Sequence, residues 1–307
     1  MHDSGHKRIA RVGVIIPTRN RVHCLPAALN SVLKQTWSDL EVLVVDDAST
    51  DGTTAYLAGV SDSRVRLLRL DLPHGAGGAR NAGLKAMKNE WIAFQDSDDQ
   101  WLPDKLEKQM AAADDETGFV YCRCRRSSGE ATCLFPPPHV ARLSGRIFEA
   151  MLGGNLVTTQ TALVRRACID AHGLFDETLP ALEDWELFLR LSRDVGVAFV
   201  DEVLVEAPFS PDSISKRDRE VIAAFEAILI RYADDFAVRP ALHARHLGTI
   251  ADRLCLSGRW PEGRAHFARA FGLDPRHVGH ALGWVLAGWP SVYRQMRTRC
   301  GGRSAID

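Results

Sequence analysis

A chain of 307 residues, 46% hydrophobic and 25% charged, has the length for one large α/β domain with an appendage, because single hydrophobic cores stop growing near this size. Its formal net charge of -1 offers no global attraction to nucleic acid, so any electrostatic partner must be recognised locally. Seven irregularly spaced cysteines cannot all pair within the chain and suit a reducing, cytoplasmic setting better than a secreted disulfide framework.

Residues 1–11 are polar and carry no apolar run of leader length, which predicts a flexible N-terminus without leader or anchor. Val12 to Ile16 reads as a strand buried on both faces and ends at Pro17. Leu25, Ala28, Leu29, Val32 and Leu33 then recur at helical spacing, and Glu41 to Val45 repeats the buried-strand pattern, completing a βαβ unit. Further strands are predicted at Val65–Leu68, Trp91–Phe94 and Phe119–Tyr121, with helices over Ala79–Met87 and Pro103–Ala113. This alternation predicts a three-layer α/β/α fold around a mostly parallel sheet. Cys122, Cys124 and Cys133 lack the paired spacing of a zinc site, and Cys122 closes an apolar strand. From about Ser213 strand signals vanish, and helices are predicted over Glu220–Ala233, Ala241–Leu256 and Pro261–Phe271.

In open α/β sheets ligands bind beyond the carboxyl ends of the strands. Three polar clusters lie there: Thr18-Arg19-Asn20, Asp46-Asp47 with Ser49 and Asp51, and Asp96-Ser97-Asp98-Asp99. In an extended segment, Asp96 and Asp98 would point to one side, a pattern suited to a hard divalent cation, Mg²⁺ or Mn²⁺. The alternative for this cluster is a solvated acidic turn before the next helix. For Ser49 and Asp51, turn and helix-cap chemistry is the favoured reading.

Taken together, Val12–Asn20, Ser31–Thr36, VVDDASTDGT (Val44–Thr53), Ala79–Gly83, Asp96–Asp99 with Trp101, Pro103 and Asp104, Gly173–Glu177 and Glu183–Leu187 resemble, in the same order, the motifs of family 2 glycosyltransferases. The resemblance implies a GT-A-type fold over 12–215, with a nucleotide-sugar-binding half (12–110), an acceptor half (111–215) and a helical region (216–307). It implies an inverting, single-displacement transfer from a nucleotide sugar, a UDP-sugar by expectation, to a hydroxyl of a glycan or lipid-linked acceptor. Pro17, Thr18, Arg19, Asn20 and Asp47 would form the nucleotide pocket, Arg80 would approach the donor phosphates, and Asp96 and Ser97 would join the nucleotide-sugar site. Asp98, supported by Asp96, would hold the divalent cation. Asp184 would be the catalytic base, with Glu183 either raising its proton affinity or capping the helix predicted over Asp184–Arg193.

This chain has Phe209-Ser210-Pro211-Asp212 before Ser213-Ile214-Ser215, where many relatives carry a histidine, and it lacks the Q-x-x-R-W signature of processive synthases. One sugar per encounter is therefore expected. Gly75, Gly77 and Gly78 do not match a dinucleotide fingerprint. The competing functions are a Mg²⁺-dependent phosphohydrolase using a strand-end aspartate as nucleophile, and an inactive nucleotide-sugar-binding scaffold.

Val278–Trp289, the longest candidate span, falls short of the roughly 20 apolar residues a bilayer requires. From Pro275 to Ile306 there is no acidic residue, while Arg276, Arg294, Arg297, Arg299 and Arg303 accompany Trp284, Trp289 and Tyr293. Residues 276–303 are accordingly a candidate peripheral contact with the inner face of a membrane. The alternative is that Leu282, Val285 and Leu286 pack onto the preceding helices as a core or oligomerisation element.

Overall fold

The computed structural model describes residues 11–129, 131–141, 143–208 and 217–299. Residues 1–10, the Phe209–Ser215 segment and Arg303 lie outside the described residues, as do the side chains of Arg297 and Arg299. Contacts divide the chain into two compact units.

The first unit contains the sheet. β1 (Val12–Thr18) is buried throughout, as its uncharged sequence requires. α1 (Leu25–Leu33) turns Leu25, Ala28, Leu29 and Val32 to the core, and β2 (Leu40–Asp47) pairs parallel to β1 from Val12 opposite Leu40 to Thr18 opposite Asp46. After α2 (Thr53–Ala58) comes β3 (Val65–Leu70), parallel to β2. α3 (Gly75–Ala86) leads to β4 (Trp91–Phe94) on the other side of β1. β5 (Gln100–Trp101), α4 (Lys105–Ala112), β6 (Thr117–Ser128), β7 (Ala131–Phe135) and α5 (Phe148–Leu152) follow. A 3-10 turn at Thr159–Thr161 precedes β8 (Leu163–Arg165), α6 (Arg166–His172), α7 (Glu183–Ser192) and β9 (Gly196–Pro208).

Among the described residues the strand order is β3-β2-β1-β4-β8-β6-β9-β5, with β7 paired to β6. The predicted parallel ladder covers β3-β2-β1-β4 and the β6–β9 pair. β8 runs antiparallel to β4 and β6, and β5 and β7 are likewise antiparallel to their partners, so the second half of the sheet is mixed. β7 explains the reversal most simply, since two residues join it to β6 and no crossover helix intervenes. Cys122 and Cys124 are buried in β6 as apolar filling, while Cys133 is exposed.

The second unit is helical, comprising Leu152–Gly154, Thr178–Glu183 and the elements after β9. These are α8 (Asp218–Arg231), α9 (Ala233–Ala237), α10 (Pro240–Leu256), α11 (Trp260–Leu273), α12 (Val278–Leu286) and α13 (Pro290–Arg299). Ala251, Cys255, Phe267, Ala287 and Tyr293 form one apolar cluster, and the Tyr293 hydroxyl donates to the Asp252 carboxylate, tying α13 to α10. Among the described residues no helix is long and apolar enough to cross a membrane.

α3 lies against β1 through a glycine. A Cβ on Gly83 would sit 2.6 Å from Cγ2 of Ile15, a fully buried β-branched side chain with little room to move. Gly83→Ala is therefore expected to destabilise the protein by about 1–3 kcal/mol despite its better helix propensity, as read by urea denaturation. Equal stability of variant and parent would show that the helix–strand contact is looser than this geometry.

Candidate active site

The carboxyl ends of β1 and β2 are laced together by backbone-directed side chains. Asn20, at φ 53, donates its N–H to Ser49 Oγ (2.9 Å) and accepts the Thr50 N–H on Oδ1 (2.7 Å). Asp51 accepts the N–H groups of Val22 (3.2 Å) and Thr53 (2.8 Å), the turn chemistry expected of it. Asp46 is fully buried and accepts from Ser49 N–H (3.0 Å) and the Thr54 hydroxyl (2.6 Å). Asp47 is also buried and accepts the N–H groups of His74 (2.7 Å) and Gly75 (3.0 Å), one on each oxygen, where α3 begins. Pro17 and Thr18 close β1 beside Val45 and Asp46; Thr18 is buried with no hydrogen-bond partner for its hydroxyl among the described residues, and Arg19 is exposed.

Beyond β4 the chain does not stay extended. Asp96 to Asp99 form a turn, with the Asp99 N–H donating to the Asp96 carbonyl (3.2 Å), and the Gln95 side chain donates to the Asp99 carbonyl (2.6 Å). The carboxylates are thus brought together by a turn, where strand alternation had been the expectation. Arg80, buried in α3, donates to Asp96 Oδ1 at 2.7 Å, and its guanidinium carbon lies 5.6 Å from the centre of the Phe175 ring. Thr159 Oγ1 reaches the same carboxylate at 3.4 Å. Burial raises the Asp98 pKa, the charge of Asp96 adds to the rise, and Arg21, 4.0 Å away, opposes it. Burial likewise pushes Asp99 well above the usual carboxylate range, reinforced by Asp96 and then Asp98. Ser97 is buried between them in sequence.

Asp184 lies in the first turn of α7 after Leu182, whose φ of 58 is uncommon for a side chain of that size. Its Oδ1 accepts the Trp185 N–H (2.7 Å), and Asn155 Nδ2 donates to Oδ2 (3.2 Å). Glu183 opens α7 and is half-buried. Asn155 and Thr159 are four residues apart, a reach of at most about 14 Å. One short segment therefore touches Asp184 at one end and Asp96 at the other.

The loop between α6 and α7 is held from two sides. Arg190 pairs with the fully buried Glu186 (2.9 Å) and donates to the carbonyls of His172, Gly173 and Leu174. Asn81 accepts the Phe175 N–H (3.0 Å) and donates to the Phe175 carbonyl (2.9 Å) and the Glu177 carboxylate (2.8 Å). Phe175 is thereby fixed edge-on to Phe94 and beneath Arg80.

Residues 13–170 match the model of glycosyl transferase family 2. The chain belongs to that family. It is 46% identical over 100 residues to an Escherichia coli UDP-Glc:alpha-D-GlcNAc-diphosphoundecaprenol beta-1,3-glucosyltransferase, WfgD, a stretch covering 33% of this chain and 40% of WfgD. It is 30% identical over 269 residues to the succinoglycan biosynthesis protein ExoO of Rhizobium meliloti, covering 78% of this chain and 74% of ExoO. Its fold is similar to that of Staphylococcus aureus TarS 1-349 in complex with UDP-GlcNAc, with a TM-score of 0.69, 18% identity and coverage of 94% and 92%. It is also similar to the Pyrobaculum calidifontis mannosyltransferase PcManGT in complex with GDP-Man and Mn²⁺, with a TM-score of 0.61, 20% identity and coverage of 94% and 83%. The protein is a family 2 glycosyltransferase with a GT-A fold.

In this glycosyltransferase Asp47 closes β2, Arg80 binds Asp96, and the Asn155–Thr159 segment touches both Asp96 and Asp184, with contributors to which the motifs assign no role. Asn81 lies within the Ala79–Gly83 motif without an assigned role, Asn155 and Thr159 fall in the Leu134–Leu182 stretch where acceptor selection is expected, and Arg21 follows the Val12–Asn20 motif directly. Lys105 is another. It is fully buried in α4, with its amine 2.7 Å from Gln109 Oε1 and 3.9 Å from the centre of the Trp101 ring. Trp101 Nε1 donates to the Gln160 carbonyl (3.0 Å) and Gln109 Nε2 to the Thr161 carbonyl (2.8 Å), so this trio supports the turn that carries Thr159.

Burial lowers the Lys105 pKa to about 8. A folded value below the unfolded one means that the folded state binds fewer protons between about pH 8 and 10.5, the ordinary lysine value, so this amine makes stability rise with pH across that window. Lys105→Met removes the buried ammonium while keeping its length. The variant is expected to be more stable near neutral pH, by on the order of 1 kcal/mol, and to lose that part of the alkaline rise. Urea titrations at neutral and alkaline pH read both, and an unchanged pH slope would show that the amine is charged in the fold throughout.

Proposed function

We propose that this glycosyltransferase moves one sugar per encounter from a UDP-sugar to a hydroxyl of a lipid-linked or polysaccharide precursor, with inversion at the anomeric carbon. The observation that carries this reading is the Asn155–Thr159 segment, which holds Asp184 and the Asp96 carboxylate at one end of the sheet. Asp184 would accept the proton of the attacking hydroxyl, and Asn155, donating to one carboxylate oxygen, would orient the other toward it. Thr18 and Asp47 would contact the nucleotide, because each carboxylate oxygen of Asp47 retains a lone pair beyond its backbone bond. Arg80 would present its charge to the donor phosphates while holding Asp96.

The turn after β4 fits a divalent cation. Its donors are hard carboxylate oxygens, crowded enough that burial and mutual repulsion raise Asp98 and Asp99. Asp98 and Asp96 would supply the protein ligands, with phosphate and water completing the set. When bound, Mg²⁺ or Mn²⁺ would neutralise charge gathering on the departing diphosphate. The nucleotide sugars in TarS and PcManGT, the Mn²⁺ in PcManGT and the diphosphoundecaprenol in the WfgD name support these assignments. A phosphohydrolase is disfavoured because Asp46, the first strand-end aspartate, is fully buried and engaged on both oxygens, which leaves no exposed nucleophile there.

Two measurements test the reading. UDP binding by calorimetry is expected to strengthen at least about tenfold with Mn²⁺ in the parent and to lose most of that gain in Asp98→Ala. Equal affinity with Mn²⁺ and with chelator would remove the metal from the proposal. Asp184→Asn is expected to bind UDP as the parent does yet transfer sugar about a hundredfold to ten-thousandfold more slowly, since an amide keeps the shape but cannot accept the proton. Turnover at the parental rate would place the base elsewhere, with Glu183 the next residue to test.

A further inference from the structure

We propose that the outer face of α12 and α13 docks on an anionic lipid surface. On α12, Val278, Leu282 and Val285 recur at i, i+4 and i+7 and are 73%, 48% and 43% exposed, whereas His280 and Gly283 are buried. Trp284 (44%) and Trp289 (60%) extend the patch, and Val292 (43%) continues it on α13. Of the three residues offered above as core packing, only Leu286 joins the apolar cluster of the helical unit. An apolar stripe left in solvent along two successive helices marks an interaction surface.

Charge identifies the occupant. α12 and α13 carry no Asp or Glu, and the stretch from Pro275 to Ile306 adds five arginines. Arg264 lies 5.4 Å from the centre of the Trp284 ring, which places a guanidinium beside an exposed indole. Tryptophan and arginine flanking aliphatic side chains suit the boundary between acyl chains and anionic head groups, where a helix lies in the plane of the interface. A second copy of the same face would bring like charges together, so self-association is disfavoured.

The test uses full-length protein with neither donor nor acceptor, so its outcome is independent of the proposed reaction. The protein is sedimented with vesicles of phosphatidylcholine alone and with phosphatidylglycerol added, across a salt series. Binding is expected to be at least about tenfold stronger to the anionic vesicles and to weaken as salt rises. The double variant Leu282→Glu with Trp289→Glu is expected to lose at least about tenfold of that binding while keeping the parental melting temperature. If the glutamates lower the melting temperature, the Leu282→Ser with Trp289→Ser pair is read instead, with the same expected loss. Ile230→Glu, at an exposed position on α8, is the control and should bind as the parent does. The proposal is overturned if anionic vesicles fail to sediment the protein at low salt or if the double variant binds them unchanged. It is equally overturned if light scattering shows a dimer that the double variant abolishes while vesicle binding persists, because a second copy is then the occupant.

Discussion

A single buried guanidinium holds the active-site end of the sheet together. Arg80 projects from α3 between the Asp96 carboxylate and the face of Phe175, and is 5% exposed. A charge in that position requires its partner, since stripping one member from a buried pair costs about 3–5 kcal/mol. Asp96 therefore cannot drift from α3, and the turn after β4 is pinned at its first residue. The next residue of α3, Asn81, fastens Phe175 and Glu177 with three hydrogen bonds. Adjacent positions on one helix thus position the acidic turn and the loop leading toward α7.

The negative charge that Arg80 does not balance is a cost to the fold. Asp98 and Asp99 are held above their ordinary pKa by burial and by neighbouring carboxylates. Crowding of this kind is expected where a cation is to be gathered, and it trades stability for function. The surrounding structure accepts it because the supporting layer is rigid. Gln95 and the Lys105–Gln109–Trp101 trio hold the backbone on both sides of the carboxylates.

The helical unit follows a different logic. One of its apolar clusters lies on α10 and α11 and is sealed by Tyr293 through a buried bond to Asp252. That bond fixes α13 by its inner face and leaves the aliphatic and indole side chains of α12 and α13 outside. A helix anchored through its inner face can keep an exposed apolar face because it does not depend on that face for its own packing.

Periodicity alone determined the strands from β1 to β4, because a run such as Val12–Ile16 can be satisfied only by burial on both faces, and it set α1 and α3 but not the short α2. The motif set determined the family. Tertiary structure alone decided the rest. The antiparallel pairing of β8 with β4 and of β5 with β9 joins partners far apart in sequence, which no local pattern encodes. The convergence of Asp96 and Asp98 depends on a turn held by the Gln95 side chain, where the spacing suggested an extended strand. Asn155, a polar residue in an unpatterned stretch, reached Asp184 only when the chain closed across 29 positions. Local preference fixes elements because it acts between neighbours within a few residues, whereas a site is made of contacts whose partners the chain meets only on folding.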